Sequence, residues 1–170
     1  MAEDIQIRET NETDLAWITD LLQEQWGSTT VVSRGKSQDA SRLPALVALL
    51  HGERVGLLTY HIDQRACEIV SLDSLVEEQG IGSALIDRLK EIARKANCQR
   101  VWLITTNDNL HALRFYQKRG FTLSALYPNA LAQTRKIKPH LSLLGREGIP
   151  LRDEIELEIL LTPQGEAEVP

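Results

Sequence analysis

The hydrophobic pattern of this 170-residue chain changes period at Gly80, and that change constrains the fold more than any other feature. Before it, apolar runs over residues 43–50, 55–62 and 66–72 are separated by short turns, which is typical of an antiparallel meander. After it, apolar residues recur at spacings of three and four up to Ala96, which predicts one long amphipathic helix. Such a chain packs helices on a sheet, so the predicted fold class is mixed α/β, a central mixed sheet flanked by helices.

Further strands and helices are predicted on both sides of this segment. Thr13 is predicted to cap the first helix, because its hydroxyl oxygen can accept from a first-turn amide. Residues 27–42 lack a clean period and are interpreted as a loop or a short helix. Alternation over 155–160 predicts a final strand whose solvated face carries Glu156 and Glu158. The remaining predictions are strands over 5–8, 101–104 and 121–127 and helices over 109–119 and 129–138.

Length and composition favour a single soluble globular domain. The chain is long enough for one core, and 42% hydrophobic with 25% charged residues is an ordinary globular balance. The predicted domain spans residues 1–163, and 164–170 are predicted to be a flexible tail. No apolar run is long enough to span a bilayer, and the first residues lack the pattern of a signal peptide. The predicted location is therefore the cytoplasm, without a membrane partner.

Charge and cysteine content argue against two further kinds of partner. A formal net charge of −5 argues against nucleic acid, which a basic stripe would bind. Cys67 and Cys98 lack metal-ligand spacing, so no metal site is predicted and two free thiols are expected. The tryptophans are predicted to lie in the core; they are Trp17, Trp26 and Trp102.

The segment from Gln79 to Leu85 carries the first chemical signal. It follows a strand and opens a helix, and its glycines let the backbone approach a ligand closely. The first turn of a helix leaves unpaired N–H groups at the positive end of the helix dipole, which suits a phosphate or pyrophosphate. The other interpretation is a tight strand–helix turn. The segment lacks the lysine of a P-loop and the βαβ context of a dinucleotide fingerprint.

The segment from Asn109 to Phe121 carries the second signal. Its helical spacing is that of an amphipathic helix, with Asn109 as a cap and Tyr116 as a core residue. The functional interpretation places the Tyr116 phenol beside a leaving group, to which it can donate a proton.

In this order the two segments resemble the GNAT superfamily of acyl-CoA N-acyltransferases. The family's phosphate motif is Gln/Arg-x-x-Gly-x-Gly/Ala, and Gly80 and Gly82 match its glycines. Its downstream motif is Asn-x-x-Ala-x-x-x-Tyr-x-x-x-Gly-Phe, which begins here at Asn109. The match covers residues 66–121, and the opening strand and helix are also similar to those of the family.

The resemblance implies an enzyme that transfers an acetyl group from acetyl-CoA to an amine within a ternary complex. It implies that Leu72 binds the pantetheine arm and the thioester carbonyl through its backbone, that Asn109 contacts the arm, and that Tyr116 protonates the departing thiolate. The amides implied to bind the pyrophosphate are those of Gln79, Gly80, Ile81, Gly82 and Ser83.

A base must remove a proton from the acceptor ammonium before the amine can attack. The resemblance implies Glu68, since some members use a glutamate on the strand before the phosphate loop. Its alternative interpretation is a solvated strand residue. Asp73, just past the predicted strand, is a second candidate.

The sequence departs from the family pattern in two places. Glu77 stands at the Gln/Arg position and Glu78 at a position that is usually glycine, which predicts weaker coenzyme A binding. If position 78 needs a positive φ, glutamate is costly there. A helix and loop over about 128–152 are inserted between the last two strands, where they are expected to shape the acceptor pocket or an oligomer contact.

The expected partner is a small-molecule or peptide amine, and the resemblance implies a homodimer through the last strands. Arg34 and Lys36 are candidates to hold an acceptor carboxylate, with a solvated loop as the equal alternative. Two other functions stay open from the residues: a non-catalytic acyl-CoA-binding or regulatory module on the same fold, and a protein that binds another phosphate ligand.

Overall fold

The computed structural model describes residues 4–162, which divide into two compact units. Within the described chain, the first unit comprises residues 4–31, 39–101 and 160–162, and the second comprises 32–38 and 102–159. The predicted tail over 164–170 lies outside the described residues. None of the helices between residues 4 and 162 has both the length and the apolar character needed to cross a membrane.

The described chain contains nine strands and four α-helices, which confirms the mixed α/β fold class. In chain order the elements are β1 (Ile5–Glu9), α1 (Leu15–Trp26), β2 (Thr30–Ser33), β3 (Lys36–Asp39), β4 (Ala45–Leu50), β5 (Glu53–Asp63), β6 (Ala66–Ser74), α2 (Ile81–Lys95), β7 (Arg100–Thr106), α3 (Leu110–Lys118), β8 (Thr122–Tyr127), α4 (Leu131–Ile137) and β9 (Glu154–Leu160). All the strands and helices predicted outside residues 27–42 are present, with bounds shifted by a few residues.

The sheet of the first unit is the predicted meander with one strand added, in the order β1-β4-β5-β6, and the three pairs are antiparallel. One face is covered by α1, whose Ile18, Leu21 and Leu22 form a buried cluster with Leu57 and Val70 of the sheet. Helix α2 packs on β4, β5 and β6. Apolar residues at helical spacing in α1 and α2 therefore meet the apolar strand runs and form this core.

The start of α1 differs from the prediction. Thr13 does not cap it. Asn11 instead caps a short 3₁₀ turn, Glu12–Asp14, that precedes α1, and it accepts from the Thr13 amide at 2.9 Å. Asp14 completes a capping box by accepting from the Asn11 amide at 2.8 Å. The cap lies earlier in the chain than predicted because the buried Asp14 carboxylate, bound by Arg8 and Arg54, holds this turn against the sheet.

Gly56 on β5 determines how closely α2 approaches the sheet. A Cβ at this position would lie 2.5 Å from Ile81 Cγ2, which is too close for a contact, and 3.2 Å from Leu85 Cδ1, which is tight. The absence of a side chain therefore lets the first turn of α2 lie directly on β5. Sequence reasoning missed Gly56, although a glycine inside a strand pattern is a known sign of close approach.

Both cysteines of the first unit are buried, free thiols, as predicted. Burial raises the pKa of Cys67 to about 12. This thiol is therefore protonated at neutral pH and behaves as a small apolar core residue.

The second unit contains the strand order β7-β9-β8 with α3 and α4, and β8 pairs antiparallel with β9. Its last strand corrects a prediction. Glu156 is 8% exposed rather than solvated, and it accepts from the Ser124 hydroxyl at 2.8 Å and the Tyr127 hydroxyl at 3.2 Å. Glu154 is also buried, at 2% exposed. These hydrogen bonds from the neighbouring strand are what make burial of a carboxylate tolerable.

Residues 27–42 contain a β-hairpin, β2–β3, instead of the predicted loop or short helix. Its turn places Arg34 and Gly35 at positive φ values of 50° and 72°. The Arg34 amide donates to both carboxylate oxygens of Glu154, at 3.0 and 3.2 Å, and the guanidinium lies 3.9 Å from the centre of the Tyr127 ring. The hairpin is therefore stabilised by contacts distant in sequence, which no local period reveals.

Candidate active site

The segment between β6 and α2 is an exposed loop that ends on a left-handed glycine. Glu77, Glu78 and Gln79 are exposed, and Gly80 is the N-cap of α2 with φ 75° and ψ 16°. No side chain of the described residues caps this helix, and its first turn contains no acidic residue. The first intrahelical bond runs from the Ala84 amide to the Gly80 carbonyl at 3.0 Å, so the amides before Ala84 precede the helical ladder.

This geometry fits an anionic group such as a pyrophosphate. A helix of 15 residues presents its positive dipole end here, and within residues 4–162 no side-chain hydrogen bond caps it. The residues predicted as the phosphate cradle are contiguous: Gln79 and Gly80 end the loop, while Ile81, Gly82 and Ser83 form the first turn of α2. The structure therefore brings the predicted pyrophosphate-binding residues together.

Glu78 adopts a positive φ, the backbone conformation in which a glutamate is costly. Its φ is 60°, in the left-handed region that favours glycine. Glutamate at this position carries a backbone cost and also places a carboxylate in the loop before the α2 N-terminus. Both effects act in the segment that would hold a pyrophosphate.

Strand β6 carries Glu68 in its first part and Leu72 and Asp73 near its end. A bulge in the β5–β6 ladder leaves Val70 without a partner, so that Glu68 pairs with His61 before it and Leu72 with Leu58 after it. Glu68 is 9% exposed, so it is not the solvated strand residue of its alternative interpretation. Leu72 is half-buried in the last part of the strand.

Asp73 is held by Trp26 at the C-terminal end of α1. The indole Nε1–H donates to both carboxylate oxygens, at 3.1 and 3.0 Å. Burial raises the pKa of the Asp73 carboxyl, while the indole hydrogen bond opposes that rise. Trp26 is 45% exposed, so its prediction as a core residue is wrong. Its indole lies partly at the surface, where its N–H group donates to this carboxylate.

The other two predicted site residues lie in the second unit. Asn109 is the N-cap of α3, and its Oδ1 accepts from the Ala112 amide at 3.1 Å. Tyr116 is 7% exposed, and its ring makes edge-on contacts with Phe115 and Phe121, with ring centres 5.1 and 5.3 Å apart. The capping interpretation of Asn109 and the predicted core position of Tyr116 are both confirmed.

Two residues just before Asn109 anchor part of the inserted segment. Asp108 is 3% exposed and accepts from the Thr106 hydroxyl at 2.5 Å and the Arg146 amide at 2.9 Å. A Cβ at Gly145 would collide with the Asp108 carboxylate, so only glycine fits there. Sequence reasoning missed both Asp108 and Gly145, since nothing in the local pattern pairs residues 37 apart in the chain.

Asn107 makes a second set of bonds to the inserted segment. Its Oδ1 accepts from the Arg152 and Asp153 amides at 3.1 and 2.9 Å, and its Nδ2 donates to the Pro150 carbonyl at 2.9 Å. The loop that carries the α3 cap is therefore fixed to residues 145–153 by side chains that replace backbone partners.

Comparison with known proteins places this geometry in a family. The model of the acetyltransferase (GNAT) family matches residues 9–121. The chain is 42% identical to the uncharacterised protein YdhI of Bacillus subtilis over 146 residues, which cover 85% of this chain and 91% of that protein.

Solved structures show the same fold at lower identity. A GNAT family acetyltransferase from Elizabethkingia anophelis, with acetyl-CoA bound, is 20% identical with a TM-score of 0.66, over 94% of this chain and 99% of that one. A Bacillus subtilis acetyltransferase in complex with CoA is 20% identical with a TM-score of 0.65, over 93% of this chain and 98% of that one. At this identity the likeness concerns the fold. Taken with the family match over most of the chain, it establishes that this protein belongs to the acetyltransferase (GNAT) family.

Proposed function

We propose that this protein transfers an acetyl group from acetyl-CoA directly to a primary amine, with both bound at the same time. The observation that carries the proposal is the uncapped N-terminus of α2 behind an exposed loop that ends on Gly80. Family membership supports acetyl transfer, and relatives of the same fold hold CoA and acetyl-CoA.

The donor is held by backbone groups in this proposal. The amides of residues 79–83 bind the pyrophosphate, because they lie at the positive end of α2. The backbone of Leu72 binds the pantetheine arm, and its amide polarises the thioester carbonyl, where negative charge increases during attack. Asn109 contributes its Nδ2 donor to the arm, since its Oδ1 is already used for the cap of α3.

Two side chains carry the proton transfers in this proposal, one carboxylate of β6 and Tyr116. Acetyl-CoA supplies an acetyl thioester whose carbonyl carbon the amine attacks. The proton that the ammonium must first lose is taken by a carboxylate of β6, for which Glu68 and Asp73 are the candidates. Tyr116 donates its phenolic proton to the departing thiolate. Its packing against Phe115 and Phe121 supports this role, because the two contacts hold the ring in one orientation.

Calorimetric titration with acetyl-CoA, CoA and ATP tests the donor. We expect acetyl-CoA and CoA to bind and ATP not to bind at the same concentrations. Turnover on a panel of amines, followed as release of the CoA thiol, then distinguishes an enzyme from a non-catalytic acyl-CoA-binding module. The acidic Glu77 and Glu78 beside the proposed pyrophosphate site are the feature that favours such a module. If neither acetyl-CoA nor CoA binds, the proposal is overturned.

Replacing Glu78 with glycine is expected to stabilise the fold and to tighten CoA binding. Relief of the positive φ should raise the free energy of unfolding by about 0.5–1 kcal/mol. Loss of the carboxylate should lower the Kd for CoA by roughly threefold to tenfold, since a like charge near the pyrophosphate is removed. Glu77→Gln is the matched control, because it removes a neighbouring charge without changing a strained backbone. Equal stability of Glu78→Gly and the parent in urea unfolding would contradict the backbone argument.

The cytoplasmic location and the homodimer implied by the resemblance belong to this proposal as well. Light scattering of the purified protein tests the dimer, and cell fractionation tests the location.

A further inference from the structure

Among the residues that the structure describes, no positively charged side chain pairs with the Asp73 carboxylate. It lies at the end of β6, opposite Leu57, a fully buried residue of the core cluster beneath α1. Among residues 4–162, its only hydrogen-bond or ion-pair partner is the indole N–H of Trp26. A carboxylate offers about four acceptor sites, so one shared N–H leaves most of them unused. Partial burial without a cation is costly, and a cationic ligand would remove that cost.

We propose that Trp26 and Asp73 form the binding site for the ammonium group of the acceptor, and that the acceptor is a primary amine without a carboxylate next to the amine. This inference rests on the proposed acetyl transfer. Asp73 is the residue after Leu72, whose backbone is proposed to hold the thioester, so an ammonium on Asp73 lies at the reacting end of the donor.

The pair accounts for both the attraction of the acceptor and its activation. One N–H bond of the ammonium breaks as an O–H bond forms on Asp73, which leaves a neutral amine and a neutral carboxylic acid. The amine lone pair is then available for attack. The raised pKa of Asp73 favours this transfer, because it makes the carboxylate a stronger base than an exposed one. Trp26 is a positioning residue, since its N–H orients the carboxylate, and its exposed ring adds a face to which a cation is attracted.

The same pair excludes amino acids as acceptors. An α-amino acid carries its own carboxylate two bonds from the amine, so binding the ammonium at Asp73 would bring two carboxylates together. Like charges juxtaposed at a site cost several kcal/mol, which is sufficient for clear discrimination. The matched probes are 2-phenylethylamine with phenylalanine, and isobutylamine with valine, because each pair differs only by the α-carboxylate.

Kinetics with these pairs test the inference. We expect kcat/KM for each amine to exceed that for its amino acid by at least about 30-fold. Asp73→Asn should lower kcat/KM for the amines by about 100-fold and abolish the preference, while the Kd for acetyl-CoA stays the same. Asp87→Asn on the exposed face of α2 is the matched control and should keep the preference. Retention of the preference by Asp73→Asn would overturn the inference.

The Trp26 indole gives a readout that is independent of turnover. In heteronuclear NMR, one indole N–H signal should be absent from Trp26→Phe and is thereby assigned. Addition of 2-phenylethylamine should shift this signal in the parent protein but not in Asp73→Asn, and phenylalanine should leave it unmoved. Trp26→Phe should raise KM for the amine by about tenfold with little change in kcat.

The outcomes separate the two proposals. Because the indole titration needs no donor, a shift with the amine supports the ammonium site even if acetyl-CoA fails to bind and the proposed function falls. Binding of acetyl-CoA together with an unmoved indole signal would leave the proposed function standing and overturn the Trp26–Asp73 site. Thermal unfolding of each variant identifies any that fail to fold, and the amine titration of the parent protein then decides alone.

Discussion

Replacing Asp14 with asparagine should lower the free energy of unfolding by about 3 kcal/mol, the largest stability effect we expect from a single substitution. Asp14 is fully buried and accepts from both Arg8 nitrogens at 2.7 and 3.0 Å and from Arg54 Nε at 2.8 Å. It also accepts from the Asn11 amide, which closes the capping box. Asparagine keeps the shape but loses the charge, and the two arginines then face each other without an anion.

This expected loss of free energy of unfolding lies at the lower end of the range for a broken buried ion pair, because the Arg8 and Arg54 side chains are 37% and 33% exposed and can regain water. Urea unfolding at neutral pH measures the effect. Asp87→Asn on the exposed face of α2 is the matched control and should change stability by less than about 0.5 kcal/mol. A loss of that same small size for Asp14→Asn would contradict the role given to the ion pair.

The same ion pair predicts how stability depends on pH. The Arg8 guanidinium beside Asp14 holds the pKa of this carboxyl well below its usual range. A carboxyl whose pKa is lower in the folded state contributes stability above its unfolded pKa of about 4, and this contribution is lost as pH falls toward the folded value. The parent protein should therefore lose stability more steeply below about pH 4 than Asp14→Asn does.

Tyr116→Phe should lower kcat by about 100-fold, the largest effect on kcat itself that we expect from a single substitution. The substitution removes only the hydroxyl, and the edge-on contacts with Phe115 and Phe121 keep the ring in place. Without the phenolic proton, the thiolate must leave as an anion or wait for water. The Kd for acetyl-CoA should change by less than about twofold, because the proposed proton transfer occurs during the reaction and not on binding.

Tyr127→Phe is the matched control. Tyr127 donates its hydroxyl proton to Glu156 at 3.2 Å within the sheet of the second unit, so its loss should affect stability and leave kcat unchanged. Steady-state kinetics with thermal unfolding of each variant separate the two effects. An unchanged kcat for Tyr116→Phe would remove this residue from the mechanism.

The sequence alone was sufficient for the elements that local patterns define. The change of period at Gly80 predicted the meander and the helix α2 that begins after it, because strand and helix periods and glycine caps are properties of neighbouring residues. The same reasoning predicted that a positive φ at position 78 would be costly for glutamate, and the φ of Glu78 is 60°. Family-specific spacing then singled out Asn109 and Tyr116.

Only the tertiary structure decided the features that depend on contacts far apart in the chain. The β2–β3 hairpin forms where Arg34 meets Glu154, 120 positions away. Asp73 receives its partner from Trp26, 47 positions away, and Gly56 is required because α2 lies against it. The prediction that Glu156 lies on a solvated face of β9 was wrong for the same reason, since the neighbouring strand β8 supplies its hydrogen-bond donors. Alternation along a strand shows which residues share a face, whereas what covers that face depends on the fold as a whole.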